Sequence, residues 1–247
     1  MSDMDETRLG VWLAANVAGF AGPFAIEKFA GGQSNPTYRI DAASGSYVLR
    51  RKPFGPILPS AHAVEREHQL IAALHPTGFP VARPYGLCED AEVIGAPFYI
   101  MEMVEGRTFW DGALPDMGAI ERTAVYEAIV DTLAALHSVN YEAVGLGEYG
   151  KPGNYFERQV ARWSKQYRMS QTDDLPEVEK LIEWLPRTVP AQTRTSIVHG
   201  DFRIDNMIFA PAKPQVLAVL DWELSTLGDP LADFSYFLMS WVTEPEG

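Results

Sequence analysis

The stretch Val198-His199-Gly200-Asp201-Phe202-Arg203-Ile204-Asp205-Asn206, followed by Val219-Leu220-Asp221-Trp222-Glu223, decides how this chain is read. Asp201 and Asn206 stand five positions apart, and Asp221 follows Asn206 by fifteen. Residues 206–209 and 216–221 read as strands joined across Pro211-Ala212-Lys213-Pro214, which predicts that Asp201, Asn206 and Asp221 converge at one end of a small sheet. That spacing suits phosphoryl transfer. An Asp-x-x-x-x-Asn loop lets the Asp orient a hydroxyl and accept its proton. The Asn, and an Asp at the end of the next strand, then offer hard oxygen ligands to Mg²⁺ on nucleotide phosphates. Asp201 is the candidate catalytic base, and Asn206 and Asp221 are the candidate metal ligands. Asp205, beside Asn206, reads as a brace for the loop.

Composition narrows the field. A chain of 247 residues with 47% hydrophobic content can bury one large core or two lobes. A formal net charge of -13 argues against nucleic-acid or anionic-membrane partners, which reward basic surfaces. The single cysteine, Cys88, cannot form an internal disulfide and fits a reducing compartment. The acidic opening is not followed by a long apolar run, and no window approaches a membrane span, so a cytoplasmic protein is expected.

Outward from the loop, the pattern changes character once. Leu9, Trp12, Leu13 and Val17 mark one face of an opening helix. Residues 24–30, 37–41 and 46–51 read as a meander, Ser60 as the cap of a helix carrying Val64, Glu65, Glu67, Ile71 and Leu74, and residues 81–87 and 97–104 as further strands. About five strands with one inserted helix result. After Glu105-Gly106-Arg107 the periodicity is helical: through Val125 to Leu136, through Phe156 to Tyr167 with Asn154 as cap, and through Val178 to Leu185, ending at Pro186. Gly228-Asp229-Pro230 should start a last helix, with Asp229 capping it or anchoring it to the loop. Gly31-Gly32-Gln33-Ser34-Asn35 lies between the first two strands; its glycines permit close backbone approach to phosphate and Ser34 offers a donor, which makes Gly32 and Ser34 candidate nucleotide contacts.

The combination His199 to Asn206 with Asp221-Trp222-Glu223 resembles the aminoglycoside phosphotransferase and choline kinase-like superfamily, relatives of the protein kinases. Gly32 to Tyr38, Tyr47 to Pro53 and Leu227 to Asp233 are similar to the subfamily related to kinase-like domains of certain acyl-CoA dehydrogenases. The resemblance runs from about Phe24 to Trp241. It implies an α+β, protein-kinase-like fold: a nucleotide-binding lobe over residues 1–104 and a mostly helical catalytic lobe over 105–247, shorter at the C-terminus than usual. Arg50 then takes the place of the usual strand Lys, with Glu67 as its partner on the inserted helix. Arg is always charged and forks onto phosphate or carboxylate, so the substitution is electrostatically sound. Alternation along the strand turns Arg51 the other way.

By the same resemblance, Met101 backs an adenine pocket whose contacts are the carbonyl of Glu102 and the N–H of Val104, and His199 fastens the loop rather than acting as base. Glu102, Glu223 and Asp233 are candidates for positioning an acceptor. The implied activity is transfer of the γ-phosphate of ATP, with Mg²⁺, to a hydroxyl of a small molecule: a hydroxyacyl-CoA-type or other metabolic alcohol in preference to an aminoglycoside. The competing reading is a non-catalytic nucleotide-binding or interaction module of the same fold, motivated by Arg50 in place of Lys and by the short C-terminus.

Overall fold

Helix α1 (Glu6–Asn16) starts where the Asp5 side chain accepts the backbone N–H groups of Thr7 and Arg8 at 3.1 and 3.0 Å, satisfying donors that a helix leaves open at its first turn. The computed structural model describes residues 4–30, 35–54 and 63–243. Leu9, Leu13 and Val17 are buried as their spacing dictates, and Trp12 meets Phe98 edge-on with ring centroids 4.8 Å apart. They join Ile40, Leu49, Cys88 and Ile100 in one core. Full burial of each large aliphatic side chain there stabilises the fold by about 1.5–3 kcal/mol.

That core lies against an antiparallel sheet of β1 (Phe24–Lys28), β2 (Thr37–Ala42), β3 (Gly45–Arg51), β4 (Pro84–Cys88) and β5 (Phe98–Glu102), in the order β1-β2-β3-β5-β4. Helix α2 (Val64–Leu74) is inserted between β3 and β4. Its buried face carries Val64, Leu70, Ile71 and Leu74 and one charged member, Glu67. Its N-terminus is at Val64 with no side-chain cap; Ser60, expected in that role, lies outside the described residues.

The later chain forms α3 (Ala119–Ser138), α4 (Tyr155–Ser170), α5 (Pro176–Thr188), and the short strands β6 (Ser196–Val198), β7 (Met207–Phe209), β8 (Val216–Val219) and β9 (Thr226–Gly228), then α6 (Leu231–Val242). β7 and β8 pair as the expected hairpin. β6 pairs with β9, a strand that its composition did not announce.

Two expected helix boundaries are corrected. Asn154 precedes α4 but in a left-handed conformation (φ 49°) and makes no capping bond; the Tyr155 N–H is taken instead by Gln192 Oε1 at 2.8 Å. Pro186 does not end α5, which runs to Thr188. Pro186 lacks only the N–H that would meet the Ile182 carbonyl, and in the last turn Arg187 Nε donates to the Glu183 carbonyl at 3.1 Å and Thr188 Oγ1 to that of Trp184 at 3.3 Å.

The chain packs as two compact units. One comprises residues 1–132 and 203–224, the other 133–202 and 225–247, the division falling within α3. In the first, the β7–β8 hairpin is stitched to the segment after β5: Arg107 and Phe209 exchange backbone hydrogen bonds at 2.8 Å each way. Gly106 makes this approach possible, since a Cβ there would lie 2.3 Å from the Phe209 carbonyl oxygen.

Candidate active site

In the first unit, register and helix periodicity bring three distant residues together. Arg50 on β3 is the cross-strand partner of Tyr99 on β5, so both side chains leave the same face of the sheet. The buried stripe of α2 places Glu67 against them. Arg50 Nε lies 2.8 Å from Glu67 Oε2, and the Tyr99 hydroxyl donates to that same oxygen at 3.1 Å. Asn35 Nδ2 donates to Glu67 Oε1 at 2.8 Å. Glu67 is 2% exposed and Asn35 1%, so these contacts take place out of water.

The other arm of Arg50 reaches the end of β8. Its Nη2 donates to Asp221 Oδ1 at 2.8 Å and stands 4.0 Å from Glu223 Oε2. Burial disfavours the Arg50 cation, but Glu67, Tyr99, Asp221 and Glu223 outweigh it and hold its proton more tightly than usual. Burial raises the Glu67 pKa; Arg50 and the hydrogen bonds from Tyr99 and Asn35 oppose that rise. The Tyr99 phenol is pushed well up, first by burial and then by the charge of Glu67. Arg51, as alternation predicts, turns elsewhere: its guanidinium lies 3.7 Å from the centre of the Phe54 ring and donates to the Tyr38 hydroxyl at 3.1 Å.

Asn206 and Asp221 are joined through the backbone, the Leu220 N–H donating to the Asn206 carbonyl at 2.8 Å. Asp221 adopts a left-handed conformation (φ 63°), uncommon for a residue with a Cβ, and its side chain remains 38% exposed. An amide oxygen and an accessible carboxylate are hard donors. They fit Mg²⁺, which is held by one or two protein oxygens while phosphates and waters complete its shell. Among the described residues no group of three or more His, Cys, Asp or Glu is placed to hold a metal by itself. Asp205 pairs with Arg203 and braces the turn.

Asp201 belongs to the second unit. Gly200 before it has φ 87°, a conformation glycine adopts without strain. His199 is fully buried, and its Nδ1 accepts the Asp201 N–H at 3.1 Å, which makes it a fastener of the loop. The expectation that Asp233 positions an acceptor is corrected: it is 1% exposed, and its carboxylate accepts the N–H groups of His199 and Gly200 at 2.8 Å each and lies 3.0 Å from His137 Nε2. Asp233 is therefore the loop's anchor. Asp229, one residue before the α6 N-cap Pro230, accepts the Leu231 N–H at 2.9 Å through Oδ1. Tyr236, three residues after Asp233, donates its hydroxyl to Asp201 Oδ1 at 2.9 Å.

Of the expected nucleotide contacts, Met101 and Val104 are partly buried and Glu102 is exposed at the end of β5. The Glu102 side chain accepts the Arg83 N–H at 3.2 Å. Gly32 and Ser34 lie outside the described residues. Sequence reasoning missed the hydrogen bonds of Asn35 and Tyr99 to Glu67, and that of Tyr236 to Asp201. A polar residue in an apolar strand, as at Tyr99, was the one signal available.

The family model for the phosphotransferase enzyme family (APH) matches residues 25–247. Acyl-CoA dehydrogenase family member 10 of Mus musculus is 50% identical over 220 residues, covering 89% of this chain and 21% of that protein. Family member 11 of Gallus gallus is 46% identical over 237 residues, covering 94% and 30%. The chain thus spans about a fifth to a third of the length of these curated relatives. Among solved structures, a Ralstonia eutropha JMP134 protein provisionally named an aminoglycoside phosphotransferase matches with TM-score 0.90 and 51% identity, covering 98% of this chain and 72% of that one. A thermostable mutant of aminoglycoside phosphotransferase APH(4)-Ia, in complex with ADP and hygromycin B, shares the fold at TM-score 0.64 and 17% identity, covering 94% and 75%. The α+β, kinase-like architecture expected from the motifs is the one these structures have.

Proposed function

Because this chain belongs to the phosphotransferase enzyme family, we propose that it is an ATP:alcohol O-phosphotransferase, moving the γ-phosphate of ATP to a hydroxyl of a small molecule. The observation that carries this reading is the fork of Arg50 between Glu67 and Asp221, both at 2.8 Å, which joins a phosphate-orienting pair to a metal ligand. Residues 1–104 would handle the nucleotide: Arg50, oriented by Glu67, would face its phosphates, and the backbone of Glu102 and Val104, with Met101, would take its base. Asn206 and Asp221 hold Mg²⁺. Bound there, Mg²⁺·ATP supplies the phosphoryl group and a countercharge for it.

Asp201 aligns the acceptor hydroxyl for in-line attack and accepts its proton as the oxygen–phosphorus bond forms and ADP leaves. Residues 105–247 carry this catalytic part. Relatives named as acyl-CoA dehydrogenase family members favour a hydroxyacyl-CoA-type or other metabolic alcohol over an aminoglycoside as acceptor, acting in the cytoplasm. No helix among the described residues is long and apolar enough to cross a membrane.

The test is Mg²⁺-dependent ATP turnover with a panel of alcohol acceptors, on the wild type and Asp201→Ala. An enzyme loses turnover in the variant while still binding nucleotide. The second reading, a non-catalytic module, takes its support from Arg50 standing where the family has a Lys; it predicts nucleotide binding without turnover in either protein.

A further inference from the structure

Helix α6 reaches the 199–201 loop with two side chains from one face. Asp233 accepts the backbone N–H groups of His199 and Gly200 at 2.8 Å each. Tyr236, three residues on and so on the same face, donates its hydroxyl to Asp201 Oδ1 at 2.9 Å. Next to it, Phe237 packs edge-on to Phe202, with ring centroids 6.3 Å apart. One helix thus holds the loop at its backbone, at its apolar neighbour and at its carboxylate.

We infer that Tyr236 is a positioning residue for phosphoryl transfer: its phenol fixes the Asp201 carboxylate in the orientation that aligns the attacking hydroxyl. The inference rests on the reading of Asp201 as the base. The terminal torsion of an Asp carboxylate has shallow wells. The His199 and Asp233 bonds act on the loop's backbone, whereas the Tyr236 hydroxyl acts on that torsion and so on where the other oxygen's lone pairs point. Small losses of alignment are costly in reactions that depend on near-attack geometry. Tyr236 keeps its own proton and acts through Asp201.

The experiment is hydrolysis of Mg²⁺·ATP, with water as the acceptor, by the wild type, Tyr236→Phe, Asp201→Ala and the double variant, alongside the melting temperature of each. A hydrogen bond to a charged group of this kind predicts that Tyr236→Phe lowers kcat about ten- to hundred-fold, with KM for ATP within about twofold and an unchanged melting temperature. Asp201→Ala leaves only a slow residual rate, and in that background the same change has no further effect. Tyr236→Phe with kcat at or above the wild-type value overturns the inference, and so does an equal fold loss in both backgrounds, which marks a general packing role. A wild type with no Mg²⁺-dependent turnover instead overturns the reading of Asp201 itself.

Discussion

Arg50 donates through Nη2 to Oδ1 of Asp221 at 2.8 Å across 171 positions of sequence. A lysine ammonium is a single point of charge, whereas the guanidinium fork lets Arg50 touch Glu67 with Nε while Nη2 holds Asp221. Both partners' geometry therefore depends on one side chain that is only 13% exposed.

Removing that side chain strands Glu67. Arg50→Ala leaves a buried carboxylate without its cation and should cost about 3–5 kcal/mol in urea denaturation. Arg50→Lys keeps the charge, loses the fork, and should cost less while weakening nucleotide binding. An Arg50→Ala variant as stable as the wild type contradicts the network.

Gly106→Ala places a methyl group 2.3 Å from the Phe209 carbonyl oxygen and 2.5 Å from Ile208 Cγ2. The carbonyl cannot move without disturbing the bonds between Arg107 and Phe209. Overpacking of this kind costs about 1–3 kcal/mol, readable as a lowered denaturation midpoint with an unchanged slope.

Burial holds the His68 imidazole below its usual pKa. The folded value is then lower than the unfolded one, near 6.5. Its contribution to stability is complete above the unfolded value and lost as pH falls through the folded one. The wild type should therefore lose more stability than His68→Gln when both are titrated downward from neutral pH, and equal slopes contradict the prediction.

Asp233 anchors two backbone donors and lies beside His137 in the interior. In Asp233→Ala those donors lose their acceptor, and amide exchange at His199 and Gly200 should quicken at least about tenfold beyond the average of α6. Unchanged exchange would assign the anchoring elsewhere.

Much of this was legible before the structure. The apolar period of Leu9, Leu13 and Val17, the meander that became β1 to β3 and the hairpin of β7 and β8 follow from patterns that repeat locally, and burial is what such patterns encode. Arg50 and Glu67 were paired through the family resemblance, and they stand in contact. The bonds of Tyr236 to Asp201 and of Asn35 to Glu67 were not foreseen. They join residues 35 and 32 positions apart, and a single buried hydrogen bond leaves no period in the sequence. Asn154 and Pro186 misled for a related reason: each has a strong local preference that its surroundings override, Gln192 taking the Tyr155 N–H and the side chains of Arg187 and Thr188 bonding carbonyls of the last turn.

Calorimetric titration of ATP, with and without Mg²⁺, into the wild type and Asp221→Ala tests most directly the proposed roles of Asn206 and Asp221 in presenting nucleotide with its metal. The wild type should bind ATP more strongly with Mg²⁺, and the variant should bind more weakly and no longer respond to the metal. Binding to both proteins with the same affinity and the same indifference to Mg²⁺ would contradict those roles.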